Sequence, residues 1–158
     1  MTTRVLKAVV PATAAEVIER LGDATAFPAY ADDIVSVSGT GDGDQQWVLA
    51  FRGGTANWVQ RSEQPAGQPY RIEFAQTGGD FQRFEGAWTS TDVDGGSEVT
   101  FEVRFSTSVP HLAGAIDSAV GRVLLRSAHQ VIHAVGGPAR VTAGGQYLDD
   151  LPADARRL

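Results

Sequence analysis

The chain contains no cysteine. That excludes a disulfide scaffold, a thiolate metal site and a cysteine nucleophile. Long apolar runs are missing too. No segment approaches the roughly 18 apolar residues that a membrane span needs, and the opening stretch MTTRVLKAVVPAT has no long apolar run. The expectation is a soluble, cytoplasmic protein. Basic residues are scarce, 13 Lys and Arg against 19 Asp and Glu, for a net charge of −6. Nucleic-acid binding normally needs a basic patch that displaces counterions, so that class is set aside. No HExxH motif occurs, and the two glycine-rich stretches, GTGDGD and TGGD, each lie between strands rather than before a helix, as a phosphate loop requires. Neither a metal nor a cofactor is expected.

What is present is an ordinary globular composition, 42% hydrophobic and 20% charged over 158 residues. One domain is expected, because a chain of this size buries about 70% of its unfolded surface. Its dominant feature runs from Pro110 to Gly136. At helical pitch Ile116, Val120, Val123, Leu124, Ser127 and Val131 fall in one arc, opposite Arg122, Arg126, His129 and His133. This pattern predicts a long amphipathic helix with a solvated basic stripe. Such a helix needs a sheet to lie on.

The rest of the chain supplies one. Val5–Val10 reads as a strand ending at Pro11. Thr13 and Glu16 form a capping box for a short helix ended by Gly22, and Phe27–Ala31 reads as a second short helix. From Ile34 the period becomes two. Strands are expected at 34–39, 46–51, 55–63, 70–76, 81–91 and 98–106, joined by tight turns. The result is an α+β fold: a curved, seven-stranded antiparallel sheet wrapped around a long C-terminal helix, with two short helices after the first strand. The domain is expected over residues 1–136. For the tail, 137–158, two states are open: packed across a pocket mouth, or loose.

The order of elements, FPAYADDIVSV near the start, the run Phe81-Gln-Arg-Phe84-Glu-Gly86-Ala-Trp88 and the PHLAGAID entry to the last helix resemble the START-like (SRPBCC, helix-grip) superfamily. The likeness is to its polyketide cyclase/aromatase and coenzyme-Q-binding branch. It implies a deep hydrophobic cavity for a flat or greasy small molecule. In family cyclases that cavity folds a poly-β-ketone, delivered on an acyl carrier protein, and assists aldol ring closure and dehydration. Arg61 and Tyr30 match the family's pocket arginine and tyrosine. Phe84 and Trp88 match pocket-lining positions. Asn57 stands where the resemblance implies a tryptophan, with Trp58 one place out of phase.

The chemistry can be weighed residue by residue. Thr55, Asn57, Val59 and Arg61 share one strand face; Ala56, Trp58, Gln60 and Ser62 share the other. With the first face concave, Arg61 would hold ketone oxygens and stabilise an enolate. The plainer alternative is a surface arginine paired with Glu63 or Glu73. Tyr30 is a proton donor or a gate, and His111, at the helix entry, an acid or base near neutral pH or an exposed loop residue. The expected binding wall is Phe27, Trp47, Phe51, Asn57, Val59, Phe84, Trp88, Phe101, Ile116 and Val120. Gly86 between two aromatics is expected to leave a hollow for a ring. An enzyme, a non-catalytic carrier of a quinone, lipid or polyketide, and an interaction module remain as readings, acting as a monomer or homodimer. A polar, convergent wall favours the enzyme; an apolar wall favours the carrier.

Overall fold

A computed structural model describes residues 1–51, 53–107 and 113–148. The elements follow in the expected order: β1 (Thr2–Val10), α1 (Ala14–Leu21), a 3-10 helix (Ala24–Ala29), β2 (Ile34–Gly39), β3 (Gln45–Phe51), β4 (Gly54–Glu63), β5 (Arg71–Gly79), β6 (Phe81–Val93), β7 (Gly96–Thr107), α2 (Ala113–Gly136), β8 (Arg140–Ala143) and a last 3-10 helix (Gly145–Leu148). The sheet order is β2-β3-β4-β5-β6-β7-β1-β8. Every pairing is antiparallel. The sheet therefore has eight strands, not the seven expected. The extra strand, β8, comes from the tail and pairs with β1. Its four residues are too short to show a period of two.

The sheet grips α2. The helix packs against β1 and β7 towards one edge and against β3 towards the other. One straight helix meets strands from both ends only if the sheet curls around it. The inward faces are strictly alternating: Leu6, Ala8 and Val10 on β1, and Val99, Phe101, Val103 and Phe105 on β7, all buried. Each such side chain contributes roughly 1.5–3 kcal/mol over its exposed state.

The helix ends are fixed by specific contacts. The Thr13 hydroxyl accepts from the Glu16 N–H at 3.2 Å, half of the expected capping box. The Arg20 guanidinium donates to the Val135 carbonyl at 2.6 Å, which ties α1 to the end of α2. Gly136 lets that end lie against β1, since a Cβ there would stand 2.6 Å from Val10 Cγ2. At the other end, buried Asp117 accepts from the Thr2 hydroxyl at 3.0 Å and the Thr107 N–H at 3.2 Å. It clamps α2 to β1 and β7.

The basic stripe of α2 needs correction. His129 is buried, and Arg126 reaches Asp33 at 2.7 Å. The last 3-10 helix and α1 cover flanks of α2 that the sheet leaves open, so the buried arc is wider than the sheet alone would make it. Tyr147 of that 3-10 helix takes the Arg4 guanidinium over its ring at 4.4 Å. The tail thus belongs to the packed structure through Leu148.

Candidate functional site

Between the sheet and α2 lies an aromatic interior. Its rings come from cross-strand pairs. Trp47 on β3 stands opposite Trp58 on β4, and Trp88 on β6 stands opposite Ile72 on β5 and Phe101 on β7. Phe27, Trp47, Trp58, Phe84, Phe74, Phe101 and Trp88 each touch the next, and Trp88 returns to Phe27, closing a circuit. Centroid separations run from 4.6 Å for Trp88 and Phe101 to 6.1 Å for Phe27 and Trp88. These lie within the range of favourable edge and offset contacts. Leu124, Ser127, Ala128 and Val131 of α2 complete the wall.

The free space inside is about 40 Å³. That is room for about three or four water molecules, at about 10–15 Å³ each on this measure. The circuit is packed nearly shut, and a ring-sized guest enters only if side chains or α2 shift. Beside it is a second, more open hollow of about 240 Å³. Phe51, Ala56, Phe81, Ile116 and Val120 line this hollow. The Phe81 ring stands 5.3 Å from Trp58 and 4.8 Å from Phe84, so it partitions the hollow from the closed interior.

The expected binding wall therefore divides. Phe27, Trp47, Phe84, Trp88 and Phe101 line the aromatic interior. Phe51, Ile116 and Val120 line the outer hollow. Asn57 is exposed and Val59 half-buried, on the opposite face of β4. The assumed phase of β4 is reversed: Ala56, Trp58 and Gln60 are buried, and Asn57 and Arg61 face outward. Trp58 opposite Trp47 sets that phase, because directly paired residues share a face.

Of the residues expected to carry chemistry, Arg61 and Tyr30 stand outside the aromatic interior. Arg61 donates through Nε to the buried Asp44 carboxylate at 2.8 Å, on the outer face. That contact raises the guanidinium's already high pKa. Its partner is neither Glu63 nor Glu73. Tyr30 ends the 3-10 helix, is 38% exposed and is absent from the cavity wall. His111 lies outside the described residues. The hollow expected at Gly86 is filled by Phe74, whose ring tip would be 2.7 Å from a Cβ placed there. Arg83 and Glu85 pair at 2.6 Å on the outer face, where Arg71 pairs with Glu73.

Sequence reasoning missed Gln60 and Phe74 as wall residues. Phe74 was signalled by its alternation with Ile72. Gln60 carried no signal, since a glutamine on a strand usually faces water. Here its Oε1 accepts from the Trp58 indole at 3.1 Å and its Nε2 donates to the Ser62 hydroxyl at 3.3 Å. No ionisable side chain is among the described residues that line the aromatic interior, whereas Asp80 lines the outer hollow. Among the described residues no group of three or more His, Asp or Glu is placed to hold a metal, and no helix is long and apolar enough to cross a membrane.

Comparison with known proteins agrees with this architecture. A protein of Thermus thermophilus is similar over 85% of this chain and 94% of its own, with 18% identity and a TM-score of 0.74. The Zhui aromatase/cyclase of a Streptomyces species is similar over 85% and 94%, with 16% identity and a TM-score of 0.69. A START superfamily protein of Mycobacterium smegmatis is similar over 85% and 95%, with 14% identity and a TM-score of 0.68. At these identities the likeness is one of fold, the helix-grip fold. No curated protein matches the chain significantly. The sequence match is to a family model described as polyketide cyclase / dehydrase and lipid transport, over residues 10–132. That span holds β2 to β7, the circuit and most of α2, and the chain belongs to this family.

Proposed function

We propose that the chain binds an apolar, ring-bearing small molecule within the aromatic circuit and carries it without covalent chemistry. One observation supports this above the others: among the described residues the aromatic interior has no ionisable group. Proton transfer to or from a substrate needs such a group within hydrogen-bond reach. Tryptophan, glutamine and serine without a base beside them supply recognition, not acid–base power. The outer hollow is the route in, and Phe81 is the partition the ligand displaces. The test is native mass spectrometry of protein purified from its own host, followed by release under denaturing conditions. A released aromatic or polycyclic compound in stoichiometric amount is expected. Protein that emerges empty and binds no member of a panel of two- and three-ring compounds sinks this reading.

A second reading is favoured by the family's own description, which names cyclases and dehydrases. In it the cavity shapes a poly-β-ketone, presented by an acyl carrier protein, and contributes mainly by restricting its folding and excluding water. The basic stripe of α2 is a poor contact for a carrier protein, since Arg126 is engaged by Asp33 and His129 is buried. His111 is the ionisable residue left from the sequence expectation. Incubation with a poly-β-ketone thioester separates the readings: ring-closed product lost in His111→Ala supports the cyclase, and unchanged substrate supports the carrier. A cytoplasmic location and a monomeric or homodimeric state fit either one.

A further inference from the structure

Two wall residues are polar, deeply buried and unpartnered. Trp47 is 8% exposed and its Nε1 has no hydrogen-bond partner; Ser127 is 3% exposed and its Oγ has none. Both line the aromatic interior, one from β3 and one from α2. A buried polar atom left unsatisfied is costly, and most such atoms in folded proteins are paired. The third polar wall residue shows what pairing looks like here: Gln60 takes the Trp58 N–H and gives its own to Ser62. Trp47 and Trp58 are register partners in the same stack. One indole N–H is therefore satisfied within the protein and its neighbour's is not.

The chemistry of the two atoms limits what completes them. An indole N–H only donates, and a serine hydroxyl donates or accepts. A carbonyl oxygen, with two lone pairs, accepts from both. We infer that Trp47 and Ser127 form a two-point polar anchor that selects, among apolar ring-bearing ligands, those carrying a ketone-type acceptor oxygen. This rests on the ligand-binding reading above and adds the class of ligand. The surrounding circuit supplies affinity through area; the anchor supplies choice. A ligand of the same shape without the oxygen leaves both groups unpaired, and sites built around buried donors discriminate strongly against such analogues.

The test uses 1-indanone and indane, which differ by a C=O in place of a CH₂. Binding of each to the full chain is measured by isothermal titration calorimetry, for wild type, Trp47→Phe and Ser127→Ala. Wild type is expected to prefer the ketone by about tenfold or more, the ratio one good hydrogen bond supports. Trp47→Phe keeps the aromatic body and loses the N–H, so it should bind both compounds alike. Ser127→Ala should keep part of the preference. Thermal melting supplies a second readout. A polar group that serves only the fold lowers Tm when removed, whereas Ser127→Ala should leave Tm equal or raised, because an unsatisfied atom goes with it; Trp47→Phe also shortens a buried ring and should lower Tm through the cavity it leaves. Wild type that binds both compounds equally overturns the anchor and leaves the binding reading intact. Wild type that binds neither overturns both. A preference that survives in both variants, or a clear fall in Tm in Ser127→Ala, overturns the assignment to Trp47 and Ser127.

Discussion

The indoles of Trp47 and Trp58 lie stacked, with centroids 5.6 Å apart and planes inclined by 17°. This contact joins β3 to β4 on the inner face and fixes which side of β4 meets the helix. It also concentrates the chain's optical signal. All three tryptophans, Trp47, Trp58 and Trp88, line the same interior. Tryptophan fluorescence therefore reports on this cavity alone, and a ring that enters it must alter that emission.

Filling the interior should separate binding from folding. Ala128 lies on the helical wall of a space of only about 40 Å³. Ala128→Val adds two methyl groups there. We expect unfolding free energy to change by no more than about 1–2 kcal/mol, the usual scale for modest overpacking with a β-branched helix residue. Affinity for 1-indanone, followed by tryptophan emission, should fall about tenfold or more as the guest and the methyl groups compete for one volume. Unchanged affinity would place the ligand in the outer hollow instead.

Arg61→Ala should leave ligand affinity within about twofold, since surface changes away from a site rarely matter beyond a few tenths of a kcal/mol. The guanidinium stands on the outer face and holds Asp44. What the substitution costs is a partner for a buried carboxylate, so a lower melting temperature with intact binding is the expected pattern. Arg61→Lys should recover part of the loss, because lysine keeps the charge without the planar fork. The opposite pattern, intact melting with lost binding, would return Arg61 to the site.

Much of the frame was legible because local signals agreed. Thr13 three residues before Glu16 marked a helix start, and Val99, Phe101, Val103 and Phe105 left no doubt about the inner face of β7. The order of elements then required a sheet around α2. β4 was different. Both of its faces mix apolar and polar residues, so period alone could not choose between Trp58 with Gln60 and Val59 with Arg61. The choice is tertiary: Trp58 finds Trp47, and Gln60 is satisfied by Trp58 and Ser62. A shift of one residue exchanges the faces, and with it Arg61 leaves the cavity. His129 was lost for a related reason. Its burial depends on the flanks of α2 being covered, one of them by a segment after residue 136 that has little periodicity of its own.

Gly86→Ala should be strongly destabilising. An added Cβ would stand 2.1 Å from the Glu102 carbonyl oxygen and 2.7 Å from Phe74 Cζ. The first neighbour is backbone and cannot turn aside. The second is a ring held in the circuit between Phe84 and Phe101. Clashes of this kind cost about 2–4 kcal/mol or prevent folding. Urea denaturation measures the change. A loss below about 1 kcal/mol would mean that β6 and β7 separate more readily than their pairing implies.

His129 gives stability a pH dependence whose sign is fixed by its surroundings. Burial pushes its pKa below the ordinary 6.5, and the neighbouring His133 charge adds to the depression. The folded state therefore holds the imidazole neutral where the unfolded chain already binds a proton. Above about pH 6.5 neither state is protonated there and the histidine costs nothing. As pH falls below that value the unfolded state gains a proton the folded state refuses, so stability drops. The drop continues until the depressed folded pKa is reached, with a slope of at most about 1.4 kcal/mol per pH unit from this one group. Melting temperatures between pH 8 and pH 5 should show the decline, and His129→Phe should flatten it relative to wild type. The other titrating groups are common to both proteins, so the difference between the two curves isolates the histidine. Parallel curves for wild type and His129→Phe would show that His129 takes up its proton as readily in the folded chain as in the unfolded one.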